Sequence, residues 1–554
     1  MLHFVNIGIR HAWFCGGVEW NVSVRGHAAH TCAPVFAAEV RHPRFGPVLR
    51  IYEQDRFRGV LWQMDFLLAD DVPALLVRPR IVNTRDEEIP TYWWSNIAVR
   101  EARGHRVLVP ADAAFQHDYD RRIVRKPIPL QNGVDISYPT NNAGAHDFFY
   151  DIPAGRTPWI ASLDGEGVGL IHTSTPRLRG RKLFVWGMGT GGRHWQGQLG
   201  GEGDAYVELQ GGLAQTQAHY LPMPARARWA WLEAYALMEV DPAAVHGADW
   251  RAARRHVADR LEKTLRPGRL ERLLAETADL ADTPPATLHV HGSGWAGLER
   301  RRRAADGERD DIPPGIVFPD EDGGPFAPWR ALLADGEMPS QPPAQPPGEW
   351  VTGPAWRKRL ADAVEAGRGD HWLAWLHLGT MAWRAGDAEE AERAWRTSLD
   401  REPSAWACRN LAVLAAQAGR LDEAAELYLQ AATLQPELDR LQVECGRALL
   451  DAGRVEQIPR WLDALPSALR HTGLIRLIEA RAACLRGELD AAEALLERIE
   501  LTGIREGRSP LTDLWFEIQA RRTASAEGMP LDDALRGRVR ETLTPPAHLD
   551  YRMH

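Results

Sequence analysis

Cysteine is the first shortage. Cys15, Cys32, Cys408, Cys445 and Cys484 are widely spaced, odd in number and form no Cys-x-x-Cys pair. That fits reduced thiols in a cytoplasm better than a disulfide framework or a zinc site. His27 with His30, and His289 with His291, lack a third ligand at a recognisable spacing. Satisfied polar or core histidines are expected, with no metal and no other cofactor. No apolar run approaches the roughly 20 residues that cross a bilayer. Met1-Leu2-His3-Phe4-Val5-Asn6 has no basic start and no apolar stretch of signal length. Export is therefore not predicted, and a cytoplasmic location is expected. Lysine is nearly missing, at Lys126, Lys182, Lys263 and Lys358, and arginine does the cationic work, as GC-rich coding would produce. A net charge of −9 is small for 554 residues and argues against a nucleic-acid partner.

What remains is ordinary globular protein. Apolar residues make up 44% and charged residues 25%, enough for roughly three or four domains with their own cores. From Met1 to about Val240 the texture is β. Pro34 to Val40, Val48 to Tyr52, Ala74 to Val82, Val107 to Pro110, Trp159 to Leu163, Gly169 to His172 and Lys182 to Trp186 are short runs of strand formers. Asn83 to Asp86 and Gln131-Asn132-Gly133 supply turns. Many short strands with no helices between them predict an antiparallel sandwich or barrel over residues 1–240.

Residues 241–355 change character. Trp250 to Arg266 and Leu270 to Leu280 carry helical spacing, and Pro339 to Pro347 has the composition of an extended linker. From about Trp356 the chain repeats itself. Gly386, Ala391, Trp395 and Pro403 recur 33 positions on as Gly419, Ala424, Tyr428 and Pro436, and Gly453 and Gly487 follow at 34 each. With Trp375-x-x-Leu378-Gly379 ahead of them, these residues resemble the tetratricopeptide repeat over 356–500, with a helical cap at 501–554. Such repeats either brace the β domain or offer a groove for a partner or for self-association.

The candidate chemistry lies on two strands. In Tyr206-Val207-Glu208-Leu209-Gln210-Gly211-Gly212, alternation puts Glu208 and Gln210 on one face and the aliphatics on the other, with the glycines ending the strand. Gly16-Gly17-Val18-Glu19-Trp20-Asn21 likewise pairs Glu19 with Asn21. Glycoside chemistry needs two carboxyl groups, one as acid and one as base or nucleophile, and neighbouring amides hydrogen-bond sugar hydroxyls. Glu19 and Glu208 are therefore the catalytic candidates, with Asn21 and Gln210 as substrate contacts. The ordinary alternative is a pair of structural acids at a sheet rim. In Tyr92-Trp93-Trp94-Ser95-Asn96, Tyr92, Trp94 and Asn96 share a face. There Trp94 can stack on a pyranose ring while Asn96 holds a hydroxyl. Trp186 and Trp195 are candidate walls, although most of the 22 tryptophans must be core. Gly187-Met188-Gly189-Thr190-Gly191-Gly192 fits G-x-G-x-x-G, but no βαβ unit surrounds it. A flexible loop over the site is expected instead, with Arg193 and His194 at its tip. The basic run Arg177, Arg179, Arg181, Lys182 could meet an anionic sugar, and a solvated strand edge guarded by charge is the ordinary alternative.

Taken together, Gly16 to Asn21, Tyr92 to Val99, Thr173-Ser174-Thr175 with Gly180 to Gly187, Tyr206 to Gln217, Leu221-Pro222-Met223-Pro224, Trp231 to Tyr235 and Gly292-Ser293-Gly294-Trp295 resemble a bacterial domain-of-unknown-function family, DUF5107, typically followed by tetratricopeptide repeats. The resemblance implies a galactose mutarotase-like antiparallel supersandwich with a carbohydrate site in its concave face. It supports Glu19, Asn21, Trp94, Asn96, Glu208 and Gln210 as pocket residues and transfers no catalytic assignment. Members of that family carry further β structure ahead of the Gly-Gly-Val-Glu-Trp-Asn motif, which here begins at Gly16. Either the true start lies upstream of this Met1, or the sandwich is shortened, with exposed sheet edges and one cleft wall less.

Three functions follow from these residues. The first is glycosidic-bond cleavage or transfer by Glu19 and Glu208. The second is aldose mutarotation or epimerisation, which needs a base and an acid around a free anomeric centre. The third is non-catalytic sugar binding, with the repeats passing occupancy to a partner.

Overall fold

The computed structural model describes residues 17–26, 28–117, 122–200, 203–266, 268–319, 324–501 and 508–553. Gly16, His27 and Cys15 lie outside them. Two compact units divide the chain between Asp320 and Glu321.

The first unit holds two large antiparallel sheets. A seven-stranded sheet runs in the spatial order Val18–Val22, Trp93–Arg100, Tyr206–Gly212, Gly180–Val185, His146–Tyr150, Ala113–His117, Ile123–Pro127. A ten-stranded sheet includes Phe36–His42, Gly46–Gln54, Val60–Ala69, Val72–Asn83, Glu233–Glu239, Val168–Ser174 and Trp159–Leu163 as successive neighbours. Their inner faces share one core: Val22, Trp93, Ile97, Val207, Leu209, Leu183 and Val185 from one side, Trp62, Met64, Val77, Ile81 and Ile160 from the other. Trp93 meets Trp231 edge-on with ring centroids 4.9 Å apart, and Trp20 meets Phe66 edge-on at 5.5 Å. Two sheets each apolar on one face have this way to bury both. The predicted turn at Asn132-Gly133 is a two-residue hairpin with both residues at positive φ.

The sequence reading closes the β domain at 240, whereas the first unit runs on through residue 319. The cause is a set of buried charges on the outer face of the ten-stranded sheet. Arg50 pairs with Asp65 at 2.5 Å and donates to the carbonyls of Leu280, Thr283 and Gly315. Arg80 donates to Gln63, to the carbonyl of Ala281 and to Asp282. Guanidinium groups with this many fixed acceptors are stable out of water only while the 277–316 segment covers them.

The second unit is a run of helix pairs: Trp372–Arg384 with Ala388–Arg401, Ala405–Gln417 with Leu421–Leu434, Asp439–Asp451 with Ile458–Ala464, and Gly473–Leu485 with Leu489–Leu496. Each turn between partners is made at a glycine of the 33–34 residue spacing: Gly386 (φ 87°), Gly419 (76°), Gly453 (69°) and Gly487 (83°). Only a residue without Cβ takes that conformation at no steric cost. A Cβ on Gly379 would sit 2.5 Å from Trp395, so that glycine sets the approach of the first pair. Pro459 lies in the first turn of its helix, where its missing N–H costs nothing. Pro339 to Pro347, expected as an extended linker, turns at Pro342 to Gln345 and is held to this unit by Trp372, Trp406 and Gln435. Among the described residues no helix is long and apolar enough to cross a membrane.

Candidate functional site

Antiparallel partners lie on one face of a sheet, so the registers of the seven-stranded sheet define its outer face row by row. One row reads Glu19, Asn96, Gln210, Lys182, Phe149, Phe115. The next, toward one end of the strands, reads Asn21, Trp94, Gly212, Gly180. The row on the other side reads Ala98, Glu208, Phe184, Asp147. Six of the predicted residues (Glu19, Asn21, Trp94, Asn96, Glu208, Gln210) therefore share one face. Glu19 and Glu208 stand two strands and two residues apart, about 12 Å between Cα positions on an ideal pleat. Both are covered, Glu19 at 3% exposure and Glu208 at 9%.

A hydrogen-bonded chain crosses this face. Gln210 Nε2 donates to Glu208 Oε2 (2.8 Å), Gln217 Nε2 to Gln210 Oε1 (2.7 Å), and Lys182 Nζ to Gln217 Oε1 (2.8 Å). Lys182 also pairs with Asp147 at 2.6 Å and lies 5.3 and 5.5 Å from the ring centroids of Phe149 and Phe184. Lys182 is thus a buried member of the site and not a solvated edge. Its neighbour Arg181 points to the opposite face, where it donates to the carbonyls of Leu178, Gly180 and Pro158 and to Ser174 Oγ. Only Arg177 and Arg179 of the basic run are exposed. Asn96 Oδ1 is buried with no hydrogen-bond partner, between Glu19 and Gln210 in the row.

The other predicted residues have different work. Asn21 Oδ1 accepts from the Ala28 N–H (2.7 Å) and Thr31 Oγ1 (3.2 Å), which fixes the 28–32 turn. Trp94 is 1% exposed and packs with Tyr92, Phe149, Phe115 and Tyr220, so no indole face is presented to a ligand. The glycine pair closes its strand, Tyr206–Gly212, as expected, and also makes room for its neighbours. A Cβ on Gly212 would collide with the Trp94 indole, and one on Gly211 would come 2.7 Å from His172 on the opposite face. Trp186 and Trp195 are both buried and stack at 6.4 Å, with Phe184 and Tyr206 edge-on to Trp186. They are packing, not cleft walls. The expected flexible loop is a helix, Thr190–Gly200. It connects antiparallel neighbours, Gly180–Val185 and Tyr206–Gly212, so no dinucleotide fold arises. The glycines are there for close backbone approach: a Cβ on Gly187 would meet the Gly144 carbonyl carbon, and one on Gly192 the Trp186 carbonyl.

Sequence reasoning raised Lys182 only within a basic run that could meet an anionic sugar, and missed Asp147, Gln217 and Glu101. Glu101 is held by Arg193 and Gln196, both at 2.8 Å, and burial raises its carboxyl above the usual range against the Arg193 charge. It borders an open cavity of about 620 Å³ with Arg103, Tyr138, Asn141 and Met188. One signal for Lys182 was present, since it is one of only four lysines.

Fold and face together define the class: an antiparallel β-sandwich carrying a polar outer face, joined in one chain to a tetratricopeptide solenoid. Residues 1–225 match the family model described as Domain of unknown function (DUF5107), as the motifs led us to expect. The chain is similar to the crystal structure of a TPR-domain containing protein from Parabacteroides distasonis, at 17% identity and TM-score 0.62, over 97% of this chain and 80% of that one. At that identity the likeness shows the fold alone. A galactose mutarotase-like protein from Clostridium acetobutylicum matches over 38% of this chain and 69% of its own at 9% identity, TM-score 0.29. A tetratricopeptide repeat protein from Parabacteroides merdae matches over 35% and 75% at 19% identity, TM-score 0.27.

Proposed function

We propose that the outer face of the seven-stranded sheet takes a carbohydrate and that Glu19 and Glu208 act on its glycosidic bond as an acid/base pair. The observation that carries the reading is the row Glu19, Asn96, Gln210, Lys182 beside Glu208. It alternates acceptors and donors across the sheet, as polyhydroxyl recognition requires, and flanks them with two carboxylates. Between the acids the middle strand carries Asn96 opposite Glu19 and the small Ala98 opposite Glu208.

The test is a screen of oligosaccharides by thermal shift, followed by product analysis on those that bind, for the native chain and for Glu208→Gln and Glu19→Gln. Retained binding with turnover lowered about 10²-fold or more is expected of either variant. Unchanged turnover in Glu208→Gln removes the assignment. The deep burial of both acids favours a second reading, a sugar-binding module without turnover, which predicts stabilisation by ligand and no product. Polarimetry of a fresh aldose separates mutarotation from both, because it speeds anomer equilibration without releasing a sugar. A protein partner at the helical repeats is part of the same proposal.

A further inference from the structure

The motif Gly292-Ser293-Gly294-Trp295 takes no part in the face that carries Glu19 and Glu208. It closes instead on the end of the strand Gly46–Gln54, in the other sheet. The buried carboxylate of Glu53 accepts from the N–H of Gln54 and from that of Ser293, both at 2.8 Å. A Cβ on Gly292 would sit 2.5 Å from both Glu53 and Phe36, so only glycine lets the turn come this close. The helix Trp295–Ala305 starts from that anchored turn. Tyr52 Oη donates to the Val317 carbonyl at 2.7 Å and holds the returning 312–318 segment over the same strand. Strand end, helix and segment border a cavity of about 300 Å³, the lower end of the range for small-molecule sites.

Its walls divide by chemistry. Phe318 and Ile312 make one side apolar. The charged walls neutralise one another, since Arg300 pairs with Asp310 at 2.7 Å and Arg303 with Glu308 at 3.1 Å. A charged ligand would have to compete with these pairs, whereas hydroxyl groups can add to their remaining N–H groups and lone pairs. Gln54 stands apart from them. It is 7% exposed, it lines the cavity, and its side-chain amide has no hydrogen-bond partner among the described residues. An amide buried to that degree offers a donor and an acceptor side by side to whatever enters the cavity.

We propose that this cavity binds a neutral monosaccharide unit. Its C–H face rests on the side of Phe318 and Ile312, and adjacent hydroxyls give to and accept from Gln54. The site is independent of Glu19 and Glu208, which lie on the seven-stranded sheet.

The test is saturation-transfer difference NMR on the full chain with D-glucose, D-galactose and D-mannose, and with D-glucuronate and D-glucosamine as charged counterparts. At least one neutral hexose is expected to bind, and more tightly than either charged sugar. Gln54→Leu, which keeps the bulk and deletes the amide, is expected to weaken that hexose about tenfold or more. Ala304→Trp, on an exposed helix position that borders the cavity, is expected to abolish the signal by filling the space. A native chain that binds none of the three hexoses overturns the proposal, as does preference for a charged sugar. If Gln54→Leu does not fold, the exposed Ala304→Trp decides. Hexose binding undiminished by the cavity variants belongs to another face and overturns the assignment, whatever turnover measurements on Glu19 and Glu208 show.

Discussion

Glu19 and Glu208 lie on the same face of one sheet with a single strand between them, Asn96 of that strand opposite Glu19 and Ala98 opposite Glu208. The relationship places two carboxylates and an unpartnered amide oxygen around a small residue. The polar chain from Glu208 through Gln210, Gln217 and Lys182 ends at Asp147, whose side chain is 32% exposed. Solvent therefore reaches one end of a network that is otherwise dry, and the charge of Lys182 is held where it acts on the amides.

Lys182→Met tests how far that chain is held together by its cation. The variant leaves Gln217 Oε1 and Asp147 without their donor. A stability loss of about 1–3 kcal/mol in urea unfolding is expected, with Asp147→Asn losing less because Asp147 is partly solvated. Equal losses from the two would place the cost elsewhere.

Gly212→Ala is expected to cost about 1–3 kcal/mol, since the added methyl meets the Trp94 indole. The same change made in Trp94→Ala should cost much less. A double-mutant cycle measures the coupling, and additive losses would show that the glycine serves some other contact.

The buried carboxylate of Glu233 accepts from His172 (3.0 Å), Trp231 (2.9 Å) and Tyr235 (2.8 Å). Burial pushes its carboxyl up, and the hydrogen bonds more than offset this and hold it below the ordinary 4.5. A depressed acid contributes stability that is present above pH 4.5 and lost as pH falls through the folded value. Glu233→Gln keeps the shape and gives up the charge, so it should lower stability at pH 7 by roughly 2–4 kcal/mol. It should also flatten the acid limb of the β unit's melting profile.

His377, buried in the helical unit against Trp329 (4.8 Å), has its imidazole pushed down to about 3, chiefly by burial. Between pH 6.5 and 3 the unfolded chain binds a proton that the folded unit refuses. Stability is therefore full above 6.5 and declines on acidification, by up to roughly 3–5 kcal/mol across the window. Thermal melts of the native chain and of His377→Gln from pH 7 to 4 should converge at the acid end. Parallel curves would assign the loss to other groups.

Legibility followed the range of the interaction. The face shared by Glu208 and Gln210, the face shared by Glu19 and Asn21, and the hairpin at Asn132-Gly133 were readable because each depends on a few adjacent residues. The helical role of Thr190 to Gly200 was not, because its Gly191 and Gly192 answer to the backbones of Arg552 and Trp186, far off in sequence or ahead of the helix. The strands Val60–Ala69, Ala113–His117 and His146–Tyr150 also escaped notice, since neither a glycine nor a proline cluster brackets them all.

By itself the amino-acid sequence determined the two repeating geometries, the two-residue alternation of the strands and the 33–34 residue period of the helix pairs. Backbone stereochemistry imposes both locally, wherever the chain goes next. Only the tertiary structure decided which strand lies beside which. That order sets Asn96 between Glu19 and Gln210, gives Lys182 to Asp147, and draws Pro339 to Pro347 onto Trp372 and Trp406. Such pairings form between residues tens to hundreds of positions apart, where packing of whole faces and burial of polar groups choose the neighbour, and no local pattern carries that choice.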